Sequence, residues 1–299
     1  MSLLVLTFGA SAPERALAAP RTAAKPAAQT GYVLPETESW DITSKEGARY
    51  QILVSRPSAT KPPENGYPVL YVLDGNAFFA MFADGRRVQG VYENSEMSKS
   101  IIVAVGYPTA NEFGYDYARR LEDFTAPWPD PMPASEREFA KWKAGGQDKF
   151  LTFLLEELRP EVAKRYKINP DRQSLFGHSL GGLFALHTLY TQPNAFASII
   201  AASPSIFWHN SQVLGEERAF AEQLAQGKIR LPISKILVVA GEREDTALEL
   251  WDAQALAPRL AQLSVYGLRS HFEMYKDETH ITVPSRAVTS ALRWALNWP

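Results

Sequence analysis

Along the chain, unbroken apolar runs of strand length alternate with longer segments in which apolar residues return at helical spacing. Residues 68–73 (Pro-Val-Leu-Tyr-Val-Leu) and 101–105 (Ile-Ile-Val-Ala-Val) have no polar alternation, the pattern of strands covered on both faces. Residues 173–176, 197–200 and 235–240 have the same character, and 271–275 is a further strand-like stretch. Helix-length segments span 148–166, 181–190, 212–225, 246–262 and 284–298. This alternation predicts an α/β protein with a mostly parallel central sheet and helices on both faces. Two β-prone runs, 38–43 and 50–56, flank Lys45-Glu46-Gly47 and predict an antiparallel hairpin at the N-terminal edge.

Two stretches break the pattern. Residues 107–146 contain Pro108, Pro127, Pro129, Pro131 and Pro133 without a clear period, which predicts a long loop insertion of functional use. Residues 1–30 begin with a short apolar run and reach a small-x-small site at Ala16-Leu17-Ala18, followed by an Ala/Pro/Lys/Thr tail. This segment reads as a signal for export to the periplasm or beyond, although no Lys or Arg precedes the apolar run and Glu14-Arg15 intrude before the cleavage site. Without a signal, residues 1–30 are a disordered tail on a cytoplasmic protein. The apolar run is too short to span a membrane. Residues 31–299 read as one catalytic domain.

Composition narrows the chemistry. Thirty-one Lys+Arg against 33 Asp+Glu give a net charge of −2, so no overall field favours nucleic acid. The chain has no cysteine, which excludes thiol nucleophiles and disulfides. Its five histidines show no HExxH-type spacing, so neither a metal nor a cofactor is expected. Activity must then come from oxygen and nitrogen side chains on a small-molecule substrate.

One segment carries specific chemistry. Gly177-His178-Ser179-Leu180-Gly181 is a G-x-S-x-G motif between a strand-like run and a helix-forming one, the context of a nucleophile elbow. In such a turn Ser179 takes a strained conformation, and Gly177 and Gly181 are expected to admit the close approach of strand and helix. A serine hydroxyl needs a base. His280 follows the strand-like 271–275 run and precedes the final helix, which places it at a strand's carboxyl end. His178 and His187 read as packing residues, and His209 as a pocket residue. The orienting acid should fall between serine and histidine in chain order, where Gly241-Glu242-Arg243-Glu244-Asp245 ends a strand. Glu244 is favoured by offset, with Glu242 and Asp245 as rivals and a Ser-His pair as the alternative. The oxyanion donors should be the amides of Leu180 and Asn76, the latter in a loop whose Gly75 permits a reversal.

Together with Tyr71-Val-Leu-Asp-Gly-Asn76, Val105-Gly106-Tyr107, Arg120-Leu-Glu-Asp123, Ser203-Pro204-Ser205 and Trp208, this set resembles the esterase D-like branch of the α/β-hydrolases, and within it the siderophore esterases. The resemblance covers most of residues 35–299 and implies an α/β-hydrolase fold and a serine esterase that opens a ferric-enterobactin-type trilactone, the alternatives being an esterase of feruloyl, acetyl or thioester substrates and a non-catalytic siderophore-binding protein of the same fold. It implies Ser179 and His280 as nucleophile and base, with Arg120 at or beside the substrate pocket. Gly75 and Tyr107, in the same motifs, are taken as further substrate-binding candidates. The sequence departs from the family at Asp123-Phe-Thr-Ala126, where Asp-Tyr-Thr-Pro is usual, and at Trp208-His209, where paired tryptophans are common. A ferric tris-catecholate is a trianion with flat aromatic faces, so Arg119, Arg120 and Trp208 are candidates to bind it, with Arg86 and Arg87 as a second patch. Iron then enters only as part of the substrate. The same arginines are otherwise surface charges paired with neighbouring carboxylates.

Overall fold

In a computed structural model, the described residues are 32–57, 61–92, 95–109, 111–231, 234–244 and 251–296. The proposed signal segment, Asp245, the start of the helix expected at 246–262 and the last two residues of that expected at 284–298 lie outside them. Leu34–Pro299 pack as one compact unit.

The hairpin is present as β1 (Thr37–Thr43) and β2 (Arg49–Ser55), paired antiparallel with Thr43 opposite Arg49. The buried strands follow as β3 (Tyr67–Val72), β4 (Ile101–Gly106), β5 (Ile168–His178), β6 (Ser198–Ala202), β7 (Ser234–Gly241) and β8 (Leu268–Tyr275). Among the described residues they form one sheet in the order β1-β2-β4-β3-β5-β6-β7-β8, parallel from β4 through β8, with β2 antiparallel to β4.

Every residue of β3 and β4 is buried, and the strand period divides them between two layers. Val69, Tyr71 and Leu73 face one apolar cluster, and Leu70 and Val72 face the other. The second cluster is built with α1 (Gly75–Gln89) and α9 (Val283–Leu296), which pack together through Gly85 against Val288 and Leu292. The first contains residues of α2 (Tyr117–Phe124), α3 (Gln147–Thr152), α4 (Arg159–Arg165), α5 (Leu180–Thr191), the turn α6 (Trp208–Ser211), α7 (Val213–Ala225) and α8 (Trp251–Gln262). A π-helical turn, Phe153–Leu158, joins α3 to α4 just before Pro160, which lacks the N–H that would continue a regular ladder.

Two helices depart from the sequence expectations. α1 was not expected, and α2 lies inside the supposedly irregular insertion. The second arginine patch is also absent. Arg86 is buried on Ser55 Oγ and the Arg56 carbonyl, and Arg87 is held by Asp84.

The topology locates the site. From β3 the chain moves outward to β4, then returns to β5 on the other side of β3 and continues outward through β6, β7 and β8. The order therefore reverses between β3 and β5. In open α/β sheets, ligands bind outside the carboxyl ends of the strands at such a switch point. Here α1 begins directly after β3 and α5 directly after β5.

Candidate active site

Ser179 stands between β5 and α5 with φ 59° and ψ −119°, a conformation that costs about 1–3 kcal/mol for a residue with a side chain. Hydrogen bonds on both sides fix it. Its amide donates to the Ala202 carbonyl (3.0 Å), and its carbonyl accepts from the amides of Leu183 (2.9 Å) and Ser205 (3.2 Å). A β-carbon on Gly177 would lie 2.0 Å from the Gly181 carbonyl oxygen, so glycine is required there. At Gly181 the nearest contact would be an ordinary 3.5 Å, which corrects the expectation that Gly181 admits the close approach. Gly182 does so instead, facing the Ala202 carbonyl and Pro204 at 3.0 Å.

The serine is half-buried, and its Oγ lies 3.2 Å from the Ser205 hydroxyl. Leu180 is the first residue of α5, so its amide has no acceptor within the helix. The same holds for Gly75 and Asn76 in the first turn of α1, on the neighbouring strand end. The reversal after β3 is made by Asp74, at φ 53°, and not by Gly75. A β-carbon on Gly75 would instead strike the β4 backbone, 2.9 Å from the Val105 carbonyl carbon. The Asn76 side chain clamps the Tyr107 backbone, accepting from its amide (2.7 Å) and donating to its carbonyl (2.9 Å). This fixes the first turn of α1 against the end of β4. Two helix N-termini thus converge at the switch point, each contributing free amides and the positive end of its dipole.

His280 lies in the loop after β8, partly exposed, with Nδ1 3.5 Å from Glu244 Oε2. That separation is long for a hydrogen bond and suits an ion pair once the imidazole is protonated. Glu244 Oε1 is held by the Ser203 hydroxyl (2.6 Å) and the Gly241 amide (2.5 Å). Of the rival acids, Glu242 is exposed and turned to the Asp277 amide (3.0 Å), while Asp245 lies outside the described residues. Backbone bonds from Arg243 to the Glu278 carbonyl and from Glu242 to the Tyr275 carbonyl, both 2.9 Å, lace the acid loop to the histidine loop. A β-carbon on Gly241 would meet the Glu278 carbonyl oxygen at 2.4 Å, so this lacing depends on glycine.

Of the substrate-binding candidates, Gly75, Tyr107, Arg120 and Trp208 are buried and Arg119 is partly exposed. Arg120 is buried, with Nε 2.6 Å from Asp74 Oδ1 and Nη2 3.5 Å from the His178 carbonyl. It lies beside the elbow, but its charge is directed at Asp74. Arg119 lies over the rings of Tyr50 (5.0 Å) and Tyr107 (5.1 Å) and pairs with Asp123 at 3.2 Å. Burial pushes the Asp123 carboxyl up to about 6, with Arg119 pulling the other way. Tyr107 is itself buried. Gly75, Tyr107 and Arg120 are thus held by packing and positioning contacts. Trp208 is buried as well: tied to the Ser205 carbonyl through its amide (3.1 Å), it packs against Trp128 and Phe139. Behind it the buried Glu136 accepts from the His209 amide (2.7 Å), and burial pushes the His209 imidazole down to about 4.

Sequence reasoning missed Asp74, Ser203 and Ser205 as contributors. Ser203 and Ser205 sit within the Ser203-Pro204-Ser205 motif, but only the sheet order shows that one reaches the acid and the other the nucleophile. A groove of about 750 Å³ between the hairpin turn and α2, lined by Arg49, Arg119 and Asp123 among others, does not include Ser179 or His280. Among the described residues, no group of three or more His, Asp or Glu is placed to hold a metal, and no helix is long and apolar enough to cross a membrane.

A serine on a strained strand-to-helix turn, with a histidine and a carboxylate on later loops of the same sheet edge, defines an α/β-hydrolase. Residues 43–283 match the esterase family model, and the chain belongs to that family. It is 38% identical over 277 residues to the ferri-bacillibactin esterase BesA of Bacillus subtilis, covering 89% of this chain and 91% of that protein. It is 34% identical over 210 residues to a siderophore enterobactin esterase of Emericella nidulans, covering 66% and 67% of the two chains. The crystal structure of the BES protein from Bacillus cereus superposes with a TM-score of 0.81 at 35% identity, over 90% of this chain and 98% of that one.

Proposed function

We propose that the protein hydrolyses the ester bonds of a ferric catecholate siderophore of the enterobactin trilactone type, with Ser179, His280 and Glu244 as nucleophile, base and orienting acid. The observation that carries the chemistry is the aim of Glu244. Both donors on its Oε1 leave Oε2 directed at His280 Nδ1, so Nε2 is the nitrogen that serves the serine.

Ser179 Oγ attacks the ester carbonyl carbon as its proton passes to His280 Nε2. The amides of Leu180 and Asn76 hold the resulting oxyanion in place. Collapse breaks the carbon–oxygen bond of the ester, and the imidazolium returns its proton to the departing alcohol. Water then attacks the acyl-serine, giving its proton to His280, and release of the carboxylate restores the serine hydroxyl. Each turnover consumes one water per ester cleaved and needs no cofactor. Iron is cargo of the substrate.

The substrate assignment is supported by the relatives' names. Residues 1–30 favour export, and fractionation of the mature protein tests it. A panel comparing a ferric catecholate trilactone with feruloyl, acetyl and thioester substrates tests the substrate. The highest kcat/KM is expected on the trilactone. A higher value on another acyl class, or binding of the trilactone without product, would reassign it.

A further inference from the structure

The proposed chemistry leaves one buried titratable group at the site without a task. His178, the residue before the nucleophile, has Nε2 2.9 Å from the backbone oxygen of His280, and the two rings lie 4.6 Å apart. A carbonyl only accepts, so Nε2 carries the proton. The ring is 2% exposed, meets Phe78 edge-on at 5.9 Å, and its Nδ1 has no hydrogen-bond partner among the described residues. Burial, then the neighbouring His280 and Arg120, hold this imidazole well below the ordinary histidine range. It therefore stays neutral and keeps its donor when His280 becomes protonated.

We propose that His178 is a positioning residue for the base: its Nε2–H ties the backbone of His280 to the residue covalently next to Ser179. Nucleophile and base are then separated by one peptide linkage and one hydrogen bond, although 101 positions apart in sequence. Glu244 orients the imidazole ring, and His178 fixes the backbone that carries it. The inference rests on reading Ser179 and His280 as nucleophile and base. Displacement of a catalytic group by about 1 Å can cost roughly 100-fold in rate, which sets the scale of the expected effect.

The test compares His178→Gln, His178→Asn and His178→Leu with wild type on a simple aryl ester. Glutamine can place an amide donor near the Nε2 position, whereas asparagine places its donor nearer Nδ1, at similar polarity. The Leu and Asn variants should lose roughly 100-fold in kcat with KM within about threefold, and Gln should recover to within about tenfold of wild type. Wild-type kcat in Leu or Asn, or equal loss in Gln and Asn, would overturn the inference. In wild type, nitrogen NMR of the ring should report a neutral Nε2–H tautomer even at pH 5, which remains decisive if the variants fold poorly. A protonated or Nδ1–H ring would also overturn it. A wild type that neither turns over the ester nor reacts with a serine-directed phosphonate would instead sink the hydrolase reading itself.

Discussion

The Nδ1 of His280 lies 3.5 Å from Oε2 of Glu244, a carboxylate whose other oxygen is fixed by Ser203 and Gly241. The acid is thus aimed before any proton moves. Replacing an orienting carboxylate by its amide lets the imidazole settle in the wrong tautomer, with losses of about 10⁴ in kcat in the best-studied triad. Glu244→Gln should lower kcat by roughly 10³–10⁴. Glu242→Gln, on the exposed side of the same loop, should stay within about twofold of wild type, as surface substitutions do. Steady-state kinetics on an aryl ester reads both, and equal effects would remove Glu244 from the triad.

Arg120 and Asp74 form a buried ion pair at 2.6 Å. Removing one partner of such a pair strands the other charge, at a cost of about 3–5 kcal/mol. Arg120→Leu should therefore lower unfolding stability by that order, and adding Asp74→Leu should recover part of the loss. Denaturant titration of the two singles and the double measures the coupling. If Arg120→Leu leaves stability unchanged and raises KM alone, Arg120 binds substrate directly and does not position the elbow.

Gly177→Ala drives a β-carbon to 2.0 Å from the Gly181 carbonyl, whereas Gly181→Ala meets only an ordinary contact in the first turn of a helix. Overpacking against backbone costs about 1–3 kcal/mol or more. Gly177→Ala should destabilise by at least that much and disable the elbow. Gly181→Ala should fold with stability within about 1 kcal/mol of wild type, since alanine favours helix. Thermal unfolding and aryl-ester turnover distinguish the pair.

The fold was legible where burial is symmetric. Runs such as Ile101-Ile-Val-Ala-Val105 have no polar face to misread, and the strands expected from such runs are all present. α1 was hidden because its start, Asp74-Gly75-Asn76, reads as a turn, although Phe78, Phe79, Phe82 and Ala83 recur at helical spacing. α2 was hidden among prolines that lie on either side of it and not within it. The elbow was readable because its geometry is local to five residues. The contacts of Ser203 and Ser205 depend on which strands are neighbours, and that of His178 on a loop reaching across from β8, and no local pattern records either.

Asp123 illustrates a pH effect that only packing reveals. Burial raises its folded-state pKa from 3.8 to about 6. A carboxyl raised on folding gives a contribution that is fully present below its unfolded pKa and lost as pH rises through the folded value. Between about pH 4 and 6, wild type should therefore lose stability relative to Asp123→Asn, and the difference should level off above about pH 7. Urea unfolding at several pH values measures it. A difference independent of pH would mean that folding leaves the Asp123 pKa unshifted, with the pull of Arg119 cancelling the effect of burial.

If Ser179 is the nucleophile that opens a siderophore ester, its labelling and the loss of turnover must run together. Wild-type protein is treated with a serine-directed organophosphonate and digested for mass spectrometry, while the remaining hydrolysis of a ferric catecholate trilactone is followed in parallel. One adduct per chain is expected, on Ser179, with hydrolysis falling in proportion to labelling. Trilactone cleavage that continues unchanged after Ser179 is fully labelled would contradict the assignment.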